Sequence, residues 1–138
     1  MPRISISLMC AVTLISPAIA EETTPDGRDL FLRHCAKCHG EDARGGEDNA
    51  TPPAPDMTKI AERRGSVWPM LEIMSIIDGY TKATEPRTEM PIIPELTAGS
   101  QIEFDTGNGK PVAVPANLVA VVRYLESIQS PKPERYVP

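Results

Sequence analysis

The chain has 138 residues, a formal net charge of −5 at pH 7, and only two Phe, one Trp and three Tyr. This length suits a single small domain. The acidic balance argues against nucleic acid and anionic membranes as partners, so we expect neither. Because so few side chains are aromatic, the core is expected to be thin.

Residues 1–20 have the pattern of a secretory signal peptide. Arg3 supplies a positive charge, residues 4–15 form an apolar run, and Ala18-Ile19-Ala20 is a small-x-small cleavage site. The run is too short to span a bilayer. We therefore expect export to the periplasm with cleavage after Ala20, no stable membrane anchor, and a monomer. The remaining chain predicts one domain over residues 21–130 and a proline-rich tail over residues 131–138.

The first predicted helix begins at Thr24-Pro25-Asp26. Thr24 is the expected N-cap, Pro25 suits the first helical position, and an acid follows in the first turn. Gly27 costs helix stability, so it predicts the close approach of another helix, and Phe31 lies one turn later on the same face. The helix leads directly into the most informative stretch of the sequence.

That stretch is Cys35-Ala36-Lys37-Cys38-His39, a Cys-x-x-Cys-His pattern typical of covalent haem attachment. Positions i, i+3 and i+4 of a helical turn share one face. Cys35 and Cys38 can therefore both form thioethers with the vinyl groups of one porphyrin. His39 can offer a neutral imidazole nitrogen to the iron. We predict haem c, with Cys35 and Cys38 as its attachment points and His39 as an iron ligand.

Three other interpretations of the motif are open. A zinc site needs four ligands, whereas Cys10 and His34 do not form a second ligand pair. A dithiol redox pair normally lies within a βαβ pattern, which is not predicted around Cys35. The third interpretation is a pair of buried thiols beside a surface histidine. The pattern and the export signal together favour haem.

A polar loop over residues 40–49 leads to Thr51-Pro52-Pro53-Ala54-Pro55, which must be extended because each proline disfavours the α conformation of its predecessor. One of its carbonyl groups could accept the other ring N–H of His39. Asp56 is expected to cap a short helix over residues 57–64, closed by a glycine.

Ser66 is expected to cap a second helix, which is apolar on more than one side and ends at Gly79. A polar loop over residues 81–88 then leads to Met90. Alternating apolar residues predict a β-hairpin over residues 101–114, with Asn-Gly in its turn. Pro115 opens the last helix, whose apolar positions form a helical stripe: Leu118, Val121, Val122, Leu125 and Ile128.

The sixth ligand of a haem iron would have to come from a methionine. His34 lies one residue before Cys35, on the wrong side of the ring. Met70 and Met74 fall in an apolar helix, where methionine usually packs, and Met57 is expected to pack as well. Met90 lies on a loop beside a proline, so it is the predicted thioether ligand.

The chain resembles the class I c-type cytochromes of the bacterial periplasm, which carry a single haem. The matching pieces occur in the family's order: Gly27-x-x-x-Phe31, Cys35-Ala36-Lys37-Cys38-His39-Gly40, Pro55-Asp56-Met57-Thr58, Met90-Pro91 and Tyr124-Leu125. The resemblance implies an all-α fold of about four short helices around one covalent haem. The predicted hairpin is an insertion that the smallest members lack.

The resemblance also implies roles for individual residues. Gly27 and Phe31 would meet Tyr124 and Leu125 where the first and last helices cross. The Pro55 carbonyl would orient His39, and Met90 would bind the iron.

Two main functions follow from these expectations. The first is an electron carrier in the periplasm that exchanges electrons with redox protein partners and is not itself an enzyme. The alternative is a haem subunit, or dedicated electron acceptor, of a periplasmic dehydrogenase complex, with the hairpin and tail as docking elements. A haem sensor with an open iron position would require that Met90 does not bind.

Overall fold

A computed structural model describes residues 25–46, 52–79 and 90–137. Within these ranges the helices are α1 (Gly27–His34), α2 (Ala36–His39), α3 (Ile60–Arg63), α4 (Met70–Ile77), α5 (Pro94–Thr97) and α6 (Ala116–Ser127), with a 3-10 turn at Met57–Lys59 before α3. The strands are β1 (Val67–Pro69), β2 (Gln101–Asp105), β3 (Pro111–Pro115) and β4 (Arg135–Val137). The predicted signal peptide and the polar loop over residues 81–88 lie outside the described residues.

Helix α1 begins two residues later than the sequence predicted. Asp26, not Thr24, is its N-cap, because the Asp26 carboxylate accepts hydrogen bonds from the N–H groups of Arg28 (2.8 Å) and Asp29 (3.2 Å). A carboxylate at this position also interacts favourably with the helix dipole. The prediction of Thr24 as the cap is therefore wrong.

The first and last long helices cross where the family resemblance places them. A Cβ atom on Gly27 would lie 2.1 Å from the Ala120 carbonyl oxygen, so only glycine allows α1 and α6 to approach this closely. The ring centroids of Phe31 and Tyr124 are 5.4 Å apart with a tilt of 48°, a favourable aromatic arrangement. Leu125 is buried in the same apolar cluster. The predicted crossing is confirmed.

The antiparallel hairpin between α5 and α6 is also confirmed. Its register pairs Ile102 with Val114 and Phe104 with Val112. Phe104 and Val114 pack against the core, whereas Ile102 and Val112 are exposed. The hairpin therefore uses only part of its apolar face for internal packing.

A second, parallel pair joins β1 to β4 and corrects the expectation of an all-α fold. The Ser66 carbonyl accepts hydrogen bonds from the N–H groups of Glu134 (2.9 Å) and Arg135 (3.1 Å). Ser66 itself has a φ of +64° and does not cap a helix; α4 starts at Met70, after the strand. The extended backbone of β4 supplies hydrogen-bonding partners for the backbone groups along the edge of β1. Part of the predicted tail is therefore paired.

The core is one apolar cluster contributed mainly by α1, α4 and α6. Its largest fully buried side chains are Trp68, Phe31, Leu96, Leu125, Val119, Val121 and Val122. None of the described helices is both long and apolar enough to cross a membrane.

Candidate functional site

The Cys-x-x-Cys-His motif forms one helical turn, with Cys35 between α1 and α2 and the other four residues in α2. The Cys35 N–H donates to the Phe31 carbonyl (2.8 Å), and the Cys35 carbonyl accepts from the N–H groups of Cys38 (3.1 Å) and His39 (3.0 Å). This hydrogen-bonding places residues 35, 38 and 39 on the same face, as the spacing predicts. The motif is held directly against the helix crossing, because Phe31 is part of both.

Both thiols are free and half-buried. Burial, with a smaller contribution from the neighbouring Cys38, raises the pKa of Cys35 to about 11. A redox-active dithiol needs the opposite, since its attacking sulfur must be a thiolate near neutral pH. The environment of Cys35 therefore disfavours the dithiol interpretation.

The zinc interpretation needs further ligands close to the motif. Within residues 25–46, 52–79 and 90–137, no group of three or more His, Cys, Asp or Glu side chains could hold a metal ion. His34 lies at the end of α1.

The chain leaving His39 forms a tight loop against the proline-rich segment. The Gly45 N–H donates to the His39 carbonyl (2.8 Å), and Gly45 has a φ of +75°. A Cβ atom there would lie 2.1 Å from the Ala54 carbonyl oxygen and 2.9 Å from the Pro55 carbonyl carbon. The Met57 N–H donates to the carbonyl of the buried Ala43 (2.7 Å). Residues 54–57 are thereby fixed against the loop that follows His39.

Pro55 lies in this contact, and the Nδ1 atom of His39 is shielded from solvent. The hydrogen bond from the His39 ring to the Pro55 carbonyl stays a prediction. Asp56 is the N-cap of the next turn, as predicted, accepting from the Thr58 N–H (2.8 Å) and hydroxyl (2.6 Å).

The pKa of Asp56 results from opposing effects. Desolvation raises it, but the two hydrogen bonds from Thr58 and the nearby charges of Arg44 and Arg63 outweigh desolvation and lower it below the ordinary value of 3.8. The carboxylate is therefore the favoured form.

The four candidate methionines occupy different environments. Met70 and Met74 are buried in the apolar cluster, as expected of packing residues, and Met57 packs against it from the 3-10 turn. Met90 is half-buried against the same cluster. Two residues later, the Ile92 side chain packs over Gly79, just beyond the end of α4. Iron ligation by Met90 stays a prediction.

The residues present fit a covalently bound haem. Two thiols that are not joined in a disulfide share a helical face with an imidazole, which is the donor set that thioether attachment and iron ligation require. A family model for cytochrome c matches residues 25–129. The chain belongs to the cytochrome c family. Searches of curated proteins and of solved structures found no match.

As a c-type cytochrome, this protein binds haem c covalently, and its family uses that haem for electron transfer. The match spans the structure from α1 to the end of α6, so the hairpin lies inside the cytochrome domain. The haem motif and the family match over residues 25–129 both indicate covalent haem binding.

Sequence reasoning missed Gln129, which is only 4% exposed. Its Oε1 atom accepts from the Ala61 N–H (2.9 Å), and its Nε2 atom donates to the carbonyls of Met57 (2.8 Å) and Leu125 (2.7 Å). A single glutamine after a helix carries no signal of these contacts, because two of its partners lie far away in sequence. A side-chain amide that is almost fully buried needs hydrogen-bonding partners for its polar atoms, and the structure supplies them.

Proposed function

We propose that this cytochrome is a periplasmic electron carrier in which Cys35 and Cys38 attach the haem and His39 and Met90 bind its iron. The observation that carries the proposal is the single helical turn that places both thiols and the imidazole on one face. When bound, the haem supplies a one-electron iron couple. The chain's residues fix the group covalently and hold its ligands, so that no bond needs to rearrange when an electron moves.

Packing around the motif suits this role. The helix crossing holds the Cys35 end of the motif, and the contact between Gly45 and the Ala54–Pro55 backbone holds the His39 end. Because the motif is fixed at both ends, His39 keeps its position in both oxidation states. The reorganisation that accompanies electron transfer is then small, as an electron carrier requires.

The first experiment tests covalent attachment. The protein is produced together with a haem-attachment system, and the denatured product is extracted with acid-acetone. We expect haem to remain on the wild-type chain, to fall sharply in Cys35→Ser or Cys38→Ser, and to be lost in the double variant. Ser127→Ala, which changes an exposed residue outside the motif, is the control and should keep its haem. Extraction of haem from the denatured wild type would contradict the proposal.

The second experiment tests the sixth ligand. The oxidised wild type should show the weak far-red absorption band of sulfur bound to ferric haem, and Met90→Ala should lose it. Met57→Ala and Met74→Ala should keep the band. If Met57→Ala or Met74→Ala loses the band while Met90→Ala keeps it, the sixth ligand is the methionine whose substitution removes the band, and the assignment to Met90 is wrong.

A second candidate function is a haem subunit or dedicated electron acceptor of a periplasmic dehydrogenase complex. The observation that favours it is the pair of exposed apolar side chains Ile102 and Val112 on the hairpin. Gel filtration of a periplasmic extract distinguishes the two. A free carrier elutes at the mass of one chain, whereas a subunit elutes with a larger partner and is released by Ile102→Ser/Val112→Ser.

A further inference from the structure

Gln129 connects the end of α6 to residues 57–61, and Met57 in turn contacts the loop that follows the proposed iron ligand His39. Both N–H groups of its carboxamide donate, and its oxygen accepts. The Ser130 N–H adds a further hydrogen bond from the same place to the Thr58 carbonyl (3.0 Å). The residues that follow α6 are therefore fastened to residues 57–61 at several points, and Gln129 is the buried one.

The peptide groups of Met57 are held from two sides. The carbonyl of Met57 accepts from Gln129, while its N–H donates to the Ala43 carbonyl (2.7 Å). Pro55 and Asp56 lie directly between this doubly held residue and the close contact that Gly45 makes with Ala54 and Pro55. A shift of these two residues therefore disturbs one of these contacts.

The loop transmits this position to His39. Gly45 donates to the His39 carbonyl and has no room for a Cβ atom beside Ala54 and Pro55. Packed backbone of this kind does not deform gradually, because closely packed atoms leave no free space to absorb a shift. A displacement of residues 55–57 therefore reaches the backbone of the proposed ligand.

We propose that Gln129 is a positioning residue that sets the orientation, and hence the electron donation, of the His39 imidazole. This inference rests on the proposed function, since it takes His39 as the iron ligand. Groups that orient a ligating histidine raise its basicity and tune the metal. Weaker electron donation stabilises ferric iron less, so loosening the contact raises the reduction potential.

The experiment compares haem-loaded variants. Gln129→Met keeps nearly the same length and volume but makes none of the three hydrogen bonds. We expect the equilibrium constant for reduction to rise about threefold, a shift of about 28 mV for a one-electron couple. The electron paramagnetic resonance g values of the ferric protein should change as well. Gln129→Asn, which is one methylene shorter, should shift the potential in the same direction and serves if the methionine variant does not fold.

Two controls separate positioning from general stabilisation. Ser127→Ala removes an exposed hydrogen bond to the Tyr124 carbonyl at the same helix end, and Val122→Ala destabilises the buried core without removing any hydrogen bond of Gln129. Both should keep the wild-type potential and g values. In Gln129→Met, amide exchange at Ala61 and Met57 should accelerate, whereas Ser127→Ala should leave it unchanged.

The outcome is decisive for each proposal separately. If Gln129→Met and Gln129→Asn lower the melting temperature like Val122→Ala but keep the wild-type potential and g values, Gln129 is only structural and the inference is overturned. If Met90→Ala keeps the far-red band, the proposed sixth ligand fails, whereas the potentials of the Gln129 variants still decide this inference.

Discussion

Two regions hold the haem motif from opposite ends by different interactions. The first is the helix crossing, formed by Gly27, Phe31, Ala120 and Tyr124. The second is the histidine loop, formed by residues 40–46 and 52–57. The crossing uses buried apolar area, an aromatic pair and the close approach of two backbones. The histidine loop uses single hydrogen bonds between backbone groups, a buried alanine at φ +63° and a glycine without room for a side chain.

This difference has consequences for how each region responds to change. Buried area is distributed over many atoms, so the crossing should tolerate rearrangement at a cost in stability alone. A network of individual hydrogen bonds has few alternatives, and one lost partner leaves a polar group unpaired. We therefore expect damage at the crossing to lower stability and damage in the histidine loop to alter the haem environment too.

The largest expected effect comes from withholding the haem. The Cys35→Ser/Cys38→Ser protein should be largely molten, because a group that binds only the folded state contributes its binding energy to stability. Near-ultraviolet circular dichroism should be lost while part of the far-ultraviolet signal remains. In hydrogen exchange, Gly45 and Met57 should lose protection before α6 does. A cooperative melt close to that of the loaded protein would show that the chain alone suffices.

Within the histidine loop, Gly45 and Gly46 form a matched pair, since both have φ +75° but only Gly45 lacks space for a Cβ atom. Gly46→Ala should cost about 1–2 kcal/mol from the left-handed backbone. Gly45→Ala adds overlap with the Ala54 carbonyl and should cost about 4 kcal/mol in total, with a changed ferric spectrum. Thermal melts and absorption spectra check both. Equal effects of the two substitutions would contradict the close contact.

At the helix crossing, Gly27→Ala should cost about 3 kcal/mol, because its Cβ would overlap the backbone of Ala120 and force the helices apart. We expect the melting temperature to fall and the ferric spectrum to stay unchanged. A spectral change as large as that of Gly45→Ala would remove the distinction between the two regions.

The smallest effect concerns Asp56, whose lowered pKa makes its contribution depend on pH. The contribution is fully present above the ordinary value of 3.8 and is lost as the pH falls through the lower folded value. Asp56→Ala should cost about 1 kcal/mol near neutral pH, with a smaller difference from wild type in acid. Melting temperatures measured from acid to neutral pH check this.

Glu126→Gln is the contrasting variant for that series. Burial raises the pKa of Glu126, although Arg123 opposes the rise. Its contribution to stability is present below the ordinary value of 4.5 and is lost as the pH rises through the folded value. The difference from wild type should therefore vary with pH in the opposite direction to that of Asp56→Ala.

Features whose signal is local or periodic in the sequence could be predicted, and features made by segments distant in the sequence could not. Gly27 predicted the close approach of another helix and the stripe on α6 predicted a buried face, whereas the family resemblance supplied the crossing of these two helices. The haem motif and the cap at Asp56 were predictable because their geometry is local. The contacts of Gln129 and the need for glycine at position 45 depend on segments brought together only by the fold. The paired strand near the end was missed for the same reason.

The contacts made by residues 129–135 also bear on when the fold can be completed. Residues 57–69 find hydrogen-bonding partners in Gln129, Ser130, Glu134 and Arg135, which are synthesised long after the haem motif. A chain emerging from the ribosome therefore presents the haem motif long before these contacts exist. The motif remains accessible to an attachment enzyme during that interval, and the contacts of residues 129–135 then complete the fold.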